Sequence, residues 1–200
     1  MVTTRVAVPA DARAIAALHL ETLPGEVSDF TPLGPGIVRR FYGNAIARAA
    51  ATVCVAEEGG APLGFVMITP DISQLFPRAL LAGAGDIVAF VFGAHPVGLA
   101  RAVVAKFTSG TATIPSVPEL VYLGVSGRAR GKGVGGLLMD AAHDAFRAQR
   151  IDSYELNVHA DNAPAVKLYL GKGLLVVRRY EKGGHGMFNM RMQLKGVSGA

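Results

Sequence analysis

The chain has no tryptophan and one cysteine, Cys54. A single cysteine cannot form an internal disulfide, and no Cys/His cluster has the spacing of a structural metal site, so no metal is expected. The sequence begins without a basic segment and apolar region typical of an export signal, which favours a cytoplasmic protein. Cys54 itself is expected to be a small buried hydrophobe within a strand.

Charge is also sparse. Charged residues make up 18% of the 200 positions and apolar residues 50%, which excludes a chain too polar to fold and predicts one packed domain. The net charge of +5 would suit a nucleic acid, an anionic membrane surface or a small polyanion, but the basic residues are scattered rather than clustered. A small phosphate-bearing ligand is therefore at least as plausible as a polymer.

The longest apolar stretch, at residues 87–105, reaches the length of a membrane span. His95, Pro96 and Arg101 interrupt it, so the pattern favours one or two buried helices. No stable membrane insertion is expected.

Apolar periodicity predicts alternating strands and helices along most of the chain. The predicted strands are Thr3–Val8, TVCVAEE with PLGFVMI as a hairpin, ELVYLGV, SYELNVH, LLVVRRY and MFNMRMQL, the last two paired antiparallel. The predicted helices begin after Asp11, near Ile37, at Val134 and near Asn162. These patterns indicate a mixed α/β fold in which residues 1–195 form one domain, with a helical insertion at 70–118 and a frayed tail at 196–200.

Residues 130–136 read RGKGVGG and join a predicted strand to a predicted helix. A helix N-terminus offers unpaired backbone N–H groups and a partial positive charge, and glycines allow an anion to approach those groups. Gly131, Gly133 and Gly135 would clear that path, while Arg130 and Lys132 add positive charge. A diphosphate fits such a loop, although a merely connecting glycine-rich turn is the simpler alternative.

This loop and the segments around it resemble the GNAT superfamily of acyl-CoA-dependent N-acetyltransferases. Arg130, Gly133 and Gly135 match the signature R/Q-x-x-G-x-G/A. Downstream, LNVHADNAPAVKLYLGKGL is similar to the pattern L-x-V-x-x-x-N-x-x-A-x-x-L-Y-x-x-x-G-F, with Leu174 where an aromatic residue is usual. The resemblance covers about residues 119–180.

The resemblance implies a central mixed, mostly antiparallel sheet flanked by helices on both faces and splayed between residues 121–125 and 154–158. Acetyl-CoA, the acyl donor, would lie in that splay with its pyrophosphate on the amides of the loop. The implied donor-binding residues are Leu123, Gly124, Val125, Arg130, Gly131, Lys132, Gly133, Val134, Gly135, Gly136, Asn162 and Tyr169. Asn162 is equally well explained as a helix cap, and Tyr169 as a core residue.

Acyl transfer to an amine needs a group that removes the proton of the ammonium form. Glu119, at the start of the strand before the loop, lies where some members of the resembled family place a catalytic glutamate. A strand-edge glutamate is more often simply solvated, and His159 ranks second as a candidate. His19, His143 and His185 are expected to be surface or packing residues. Tyr169 is the general acid that the resemblance implies.

The sequence thus favours an N-acetyltransferase that passes an acetyl or longer acyl group from the CoA thioester directly to a primary amine in a ternary complex. The acceptor stays open among small amines, amino sugars, antibiotics and protein amino groups, and a homodimer also stays open. A CoA-binding protein without turnover and, on charge alone, a nucleic-acid-binding module are the alternatives.

Overall fold

The structure is a computed structural model that describes residues 1–25, 27–28, 31–80 and 116–194. Its strands are β1 (Thr3–Val6), β2 (Thr52–Glu58), β3 (Ala61–Thr69), β4 (Glu119–Val125), β5 (Ser153–His159), β6 (Leu175–Lys182) and β7 (His185–Gln193). Its helices are α1 (Ala12–Thr22), α2 (Pro35–Ala47), α3 (Ile72–Leu80), α4 (Val134–Ala148) and α5 (Ala163–Gly171). Each element predicted from periodicity is present, with ends shifted by a few residues.

The described strands form one seven-stranded sheet in the order β1-β2-β3-β4-β5-β7-β6. Every neighbouring pair is antiparallel except β4 and β5, which are parallel. The predicted mixed, mostly antiparallel sheet and the predicted pairing of β6 with β7 are therefore confirmed.

Helices pack on both faces of this sheet, as predicted. On the face we call the α1 face, α1, α2 and α3 cover β2, β3 and β4 around a core that includes Ile15, Val38, Phe41 and Phe65. Each of these four side chains is at most 1% exposed, and burying one contributes roughly 1.5–3 kcal/mol of transfer free energy. On the opposite face, the α4 face, α4 and α5 pack on β3, β4, β5 and β7.

The position of Asp11 directly before α1 suggests a helix cap, and the structure differs from that expectation. Asp11 precedes α1, but its carboxylate does not cap the helix: it accepts hydrogen bonds from the Arg5 guanidinium at 2.7 and 2.9 Å and from the Val8 amide at 2.8 Å. The charged partner competes successfully for the carboxylate because charge-assisted hydrogen bonds are stronger than neutral ones. Within the predicted insertion at 70–118, α3 is helical, and residues 81–115 and the predicted frayed tail lie outside the described residues.

The apolar stretch at 87–105 lies in that undescribed segment as well. Among the residues that the structure describes, no helix has both the length and the hydropathy needed to cross a membrane.

Candidate active site

Strands β4 and β5 separate shortly after they meet. Their parallel register pairs Glu119 with Glu155, and the Glu155 amide donates to the Pro118 carbonyl at 3.0 Å. No further register pair joins β4 to β5 among the described residues, whereas β4 stays paired with β3 up to Val125. The predicted splay between these strands is therefore present, and we call it the β4/β5 split.

A bulge in β4 lies beside the β4/β5 split. Leu120 pairs with Ile68 and Tyr122 with Met67, so Val121 is an extra residue without a partner on β3. A bulge of this kind bends the strand and redirects its main-chain and side-chain groups.

The glycine loop lies at the far end of β4, about 20 Å from Glu119 at roughly 3.3 Å per strand residue. Gly131 and Gly133 have φ of +75° and +78°, in the left-handed region that glycine tolerates best, and a Cβ on either would meet no protein atom within 4 Å. Gly133 is the N-cap of α4, so the amides of Val134, Gly135 and Gly136 belong to its first turn and lack intrahelical acceptors. The loop thus offers open space at a helix N-terminus.

Other residues of this region stabilise the fold through contacts that the sequence did not indicate. The Arg130 side chain donates through Nε to the Val125 carbonyl at 3.3 Å, which ties the loop back to the end of β4. A Cβ on Gly124 would collide with Thr22 and lie 2.8 Å from Phe65, so glycine at this position lets α1 pack on β4. Gly135 approaches α5, with a Cβ position 3.1 Å from Leu168.

The remaining predicted donor-binding residues of β4 are half-buried. The side chains of Leu123 and Val125 pack against the core of the α4 face.

The predicted base, Glu119, lies at the start of β4 and is partly buried. Burial raises its pKa to about 7, and the negative charge of Glu155 acts in the same direction. A hydrogen bond from Asn157 Nδ2 to Glu119 Oε1, at 3.4 Å, and the positive charge of Lys182 oppose that increase in pKa. A carboxyl with a pKa near neutrality exchanges protons readily at the pH of a cell.

Glu119 belongs to a hydrogen-bonded set that the sequence reasoning missed. Tyr180 donates its hydroxyl to Asn157 Oδ1 at 2.9 Å, and Asn189 Nδ2 bridges Asn157 Oδ1 at 3.2 Å and Glu155 Oε2 at 3.0 Å. The Arg191 guanidinium donates to Glu155 Oε1 at 2.6 and 3.0 Å. We call these residues the polar network: Glu119, Glu155, Asn157, Tyr180, Asn189 and Arg191.

A signal for part of the polar network exists in the sequence. In SYELNVH, the buried Tyr154, Leu156 and Val158 alternate with polar residues, and a strand with this pattern presents Glu155 and Asn157 together on its other face. That face is the α1 face, since Tyr154, Leu156 and Val158 belong to the core of the α4 face.

The predicted acid, Tyr169, lies on α5 within the core of the α4 face and is 7% exposed. Burial raises the pKa of its phenol to about 12, so the hydroxyl stays protonated at neutral pH. It makes no hydrogen bond to any residue in the described part of the chain. Asn162 caps α5 by accepting from the Ala165 amide at 3.3 Å, which confirms the capping interpretation.

The histidines divide into buried and accessible ones. His19 is fully buried between Tyr42 Oη, 2.7 Å from Nδ1, and Ser28 Oγ, 2.8 Å from Nε2. His143 is buried with Nε2 2.9 Å from Tyr154 Oη. Both are packing residues, as expected. Cys54 is buried too, as expected, and burial raises the pKa of its thiol to about 11.

His159, the second candidate base, ends β5. Its ring lies 5.1 Å from that of His185, and its Nδ1 lies 4.0 Å from Asp161 Oδ1. No hydrogen bond connects His159 to Glu119 among the described residues, so the structure does not bring the two candidate bases together. Across those same residues, no group of His, Cys, Asp and Glu side chains could hold a metal ion.

Comparison with known proteins gives a consistent result. The family model described as Acetyltransferase (GNAT) family matches residues 78–173. A mycothiol acetyltransferase of Beutenbergia cavernae is 42% identical over 59 residues, which are 30% of this chain and 20% of that protein. The chain thus spans only about a fifth of the length of this curated relative.

Solved structures share the fold at low sequence identity. An N-acetyltransferase from Staphylococcus aureus Mu50 aligns with a TM-score of 0.64 and 16% identity over 98% of this chain and 99% of that one. A GNAT-family acetyltransferase from Streptococcus pneumoniae gives a TM-score of 0.63 and 18% identity, covering 97% and 99%. The Salmonella typhimurium protein yncA, solved with acetyl-CoA, gives 0.60 and 16%, covering 99% and 96%.

Proposed function

We propose that this chain, which carries a GNAT acetyltransferase domain, transfers an acetyl group from acetyl-CoA to a primary amine by direct attack in a ternary complex. The observation that carries the proposal is the β4/β5 split, which has an open helix N-terminus at one end and a carboxyl of pKa about 7 at the other. We further propose that residues 1–195 form one domain.

The glycine loop would hold the pyrophosphate of the donor. Val134, Gly135 and Gly136 would contribute amides without intrahelical acceptors. Gly131 and Gly133 have no side chains, and a Cβ on either would meet no protein atom within 4 Å, so the approach is open. Arg130 and Lys132 are both exposed and add positive charge. The loop therefore suits a diphosphate in shape and in charge.

The edge of β4 would hold the extended pantetheine arm and the thioester. On the β5 side, residues 121–125 have no strand partner among the described residues, so their main-chain groups, except the Val125 carbonyl that Arg130 binds, would pair with the amides of the arm. The bulge at Val121 interrupts the regular ladder of β4, and a main-chain N–H group there would stabilise the negative charge that develops on the thioester oxygen. Asn162, exposed at the start of α5, would contact the same arm.

Glu119 would remove the proton of the acceptor amine on the α1 face. An alkylammonium with a pKa near 10 is almost fully protonated at neutral pH, so a base with a pKa of about 7 is needed close to it. The neutral nitrogen then forms the new C–N bond as the C–S bond breaks, and the second proton that the nitrogen loses on becoming an amide passes to solvent. Glu119 releases the first proton to solvent before the next turnover.

Tyr169 would supply a proton to the departing thiolate from the α4 face. Because its phenol stays protonated and has no hydrogen-bond partner among the described residues, its proton is available to a sulfur atom in the β4/β5 split. The base and the acid therefore act from opposite faces of the sheet, one on the nucleophile and the other on the leaving group.

The test is release of CoA thiol from acetyl-CoA by the purified chain, measured against a panel of primary amines. Amine-dependent release together with formation of the acetylated amine supports the proposal. Tight acetyl-CoA binding without turnover on any amine would instead favour a CoA-sensing protein. Salt-sensitive DNA binding without affinity for acetyl-CoA would favour a nucleic-acid-binding module.

A further inference from the structure

Strand β6 presents a row of cations beside the polar network. Arg178 pairs in register with Asn189, whose amide bonds Asn157 and Glu155, so Arg178 lies on the α1 face. Its guanidinium lies 4.8 Å from the centroid of the Tyr180 ring, and two residues further along, Lys182 is close enough to lower the pKa of Glu119. Strand alternation thus places Arg178, Tyr180 and Lys182 on the face that carries the candidate base.

The adjacent Arg179 points the other way. It pairs with Phe188, which packs on the core of the α4 face, and its guanidinium lies 5.2 Å from the centroid of that ring. Arg178 and Arg179 are therefore neighbours in one strand, and each lies above an aromatic ring, but on opposite faces of the sheet. This arrangement provides a matched control for any function of Arg178.

Charge on the α1 face of β5, β6 and β7 is not balanced. Arg191 forms an ion pair with Glu155, with its Nη2 2.6 Å from Glu155 Oε1. Arg178 and Lys182 form no ion pair with any residue that the structure describes. Because Glu119 is only partly ionised near pH 7, these two cations leave this face with an excess of positive charge.

These cations are held close to the candidate base rather than dispersed on the surface. Asn157 bonds Glu119 through Nδ2 and Tyr180 through Oδ1, and the Tyr180 ring in turn lies under Arg178. Two side chains therefore connect the carboxyl that would deprotonate an amine to a guanidinium that would hold an anion. Stacking on Tyr180 restricts the guanidinium and so reduces the entropy lost when it binds a ligand.

We infer that the acceptor is an amine that also bears an anionic group, a carboxylate or a phosphate, and that Arg178 and Lys182 hold this group while the amine faces Glu119. The inference rests on the proposed acetyltransfer and narrows its acceptor class. The inference disfavours two acceptor classes. Amino sugars without an anionic group offer nothing for the two cations to bind, and polyamines would place further positive charge beside them.

The experiment compares matched acceptors. Amino acids are assayed against their amides, and O-phosphoethanolamine against ethanolamine, with acetyl-CoA as donor and kcat/KM as the measured quantity. The expected result is a kcat/KM at least ten-fold higher for the anionic member of a pair, and the pair that shows it identifies the anion as carboxylate or phosphate. The double variant R178Q/K182Q is expected to lose this preference, while R179Q keeps it.

Calorimetric titration with acetyl-CoA shows whether each variant is folded, because the glycine loop lies on a different part of the sheet from β6. Equal kcat/KM for the anionic and neutral members in the wild-type chain would overturn the inference and leave the proposed acetyltransfer standing. A preference that persists in a folded R178Q/K182Q would also overturn it. Failure to acetylate any amine while acetyl-CoA binds would overturn the proposed function and, with it, the inference.

Discussion

Glu119 stands opposite Glu155 in the parallel register of β4 and β5, and burial together with the charge of Glu155 raises the pKa of Glu119 to about 7. Glu155 remains ionised beside it: burial alone would raise its pKa, but Arg191 and Asn189 lower it by hydrogen bonding. Two carboxyls at the start of the β4/β5 split thus have different proton affinities. Such a difference in pKa is typical of sites in which one carboxyl exchanges a proton and the charge of the other shifts the pKa of the first.

Replacing Glu119 by glutamine should abolish the pH dependence centred near 7. In the wild-type chain, kcat/KM is expected to show a first rise with pH through about 7 as Glu119 loses its proton, and then to level off below the pKa of the amine, because Glu119 accepts the proton of the ammonium form. In Glu119→Gln the first rise should disappear, with kcat/KM on the order of 10²-fold lower below the amine's pKa and acetyl-CoA affinity unchanged. Steady-state pH profiles and calorimetry measure both quantities.

Glu155→Gln provides a second test of the same assignment. Removing a negative charge beside Glu119 lowers the pKa of Glu119, so the inflection in kcat/KM should move below pH 7 rather than disappear. Glu58→Gln, at the exposed end of β2, serves as the control and should leave the profile in place. If the profile of Glu119→Gln is the same as that of the wild type, water or another residue is the base.

Replacing Gly133 by valine should weaken acetyl-CoA binding by ten-fold or more, which corresponds to about 1.4 kcal/mol. The new side chain meets no protein atom within 4 Å at its Cβ, so it would project into the space proposed for the pyrophosphate. Calorimetric titration gives the dissociation constant.

Gly60→Val is the matched control for this substitution. Gly60 has φ of +77° against +78° at Gly133 and is equally open, but it lies in the turn between β2 and β3. Both variants should lose similar stability through backbone strain, and only Gly133→Val should lose affinity. Equal acetyl-CoA affinity in the two variants would rule out the loop as the pyrophosphate site.

Tyr169→Phe should lower kcat by roughly 10- to 100-fold, at the low end of general-acid contributions. Phenylalanine keeps the ring that packs on the α4 face and removes only the hydroxyl, which has no described partner to lose. Single-turnover rates measure the chemical step free of product release, and thermal unfolding checks the fold. A variant with the wild-type single-turnover rate would leave Tyr169 as a packing residue only.

His19 should make the stability of the chain depend on pH in the acid range. Burial lowers the pKa of His19 to about 4 from an ordinary value of 6.5, so between these values the unfolded chain binds the extra proton and the folded chain does not. Stability is therefore lost as pH falls from about 6.5 to about 4, by an amount on the order of 2–3 kcal/mol. Urea unfolding at several pH values measures this change.

His19→Gln has no ionisable group at this position and should lose less stability over the same pH range, although it starts less stable because the bonds to Tyr42 and Ser28 change. His159→Gln is the control, since that ring is at the end of β5 and not enclosed between helices. Parallel wild-type and His19→Gln curves between pH 6.5 and 4 would show that His19 does not remain neutral in the folded chain.

The sequence by itself determined the elements and the loop, because both depend on neighbouring residues. Alternation in MFNMRMQL and helical spacing after Val134 decide which side chains can be buried together, and the glycines at 131 and 133 permit positive φ wherever the chain folds. The match to the acetyltransferase family model likewise lies in one contiguous segment, residues 78–173.

Only the tertiary structure decided the chemistry of the site. The pKa of Glu119 depends on burial and on Glu155, Asn157 and Lys182, which reach it from β5 and β6, and the role of Gly124 depends on Thr22 of α1. The burial of His19 likewise depends on Tyr42 and Ser28. Electrostatic and packing effects act through space, so residues far apart in the sequence determine them, and local patterns identify the partners in a hairpin but not distant neighbours such as β4 and β5.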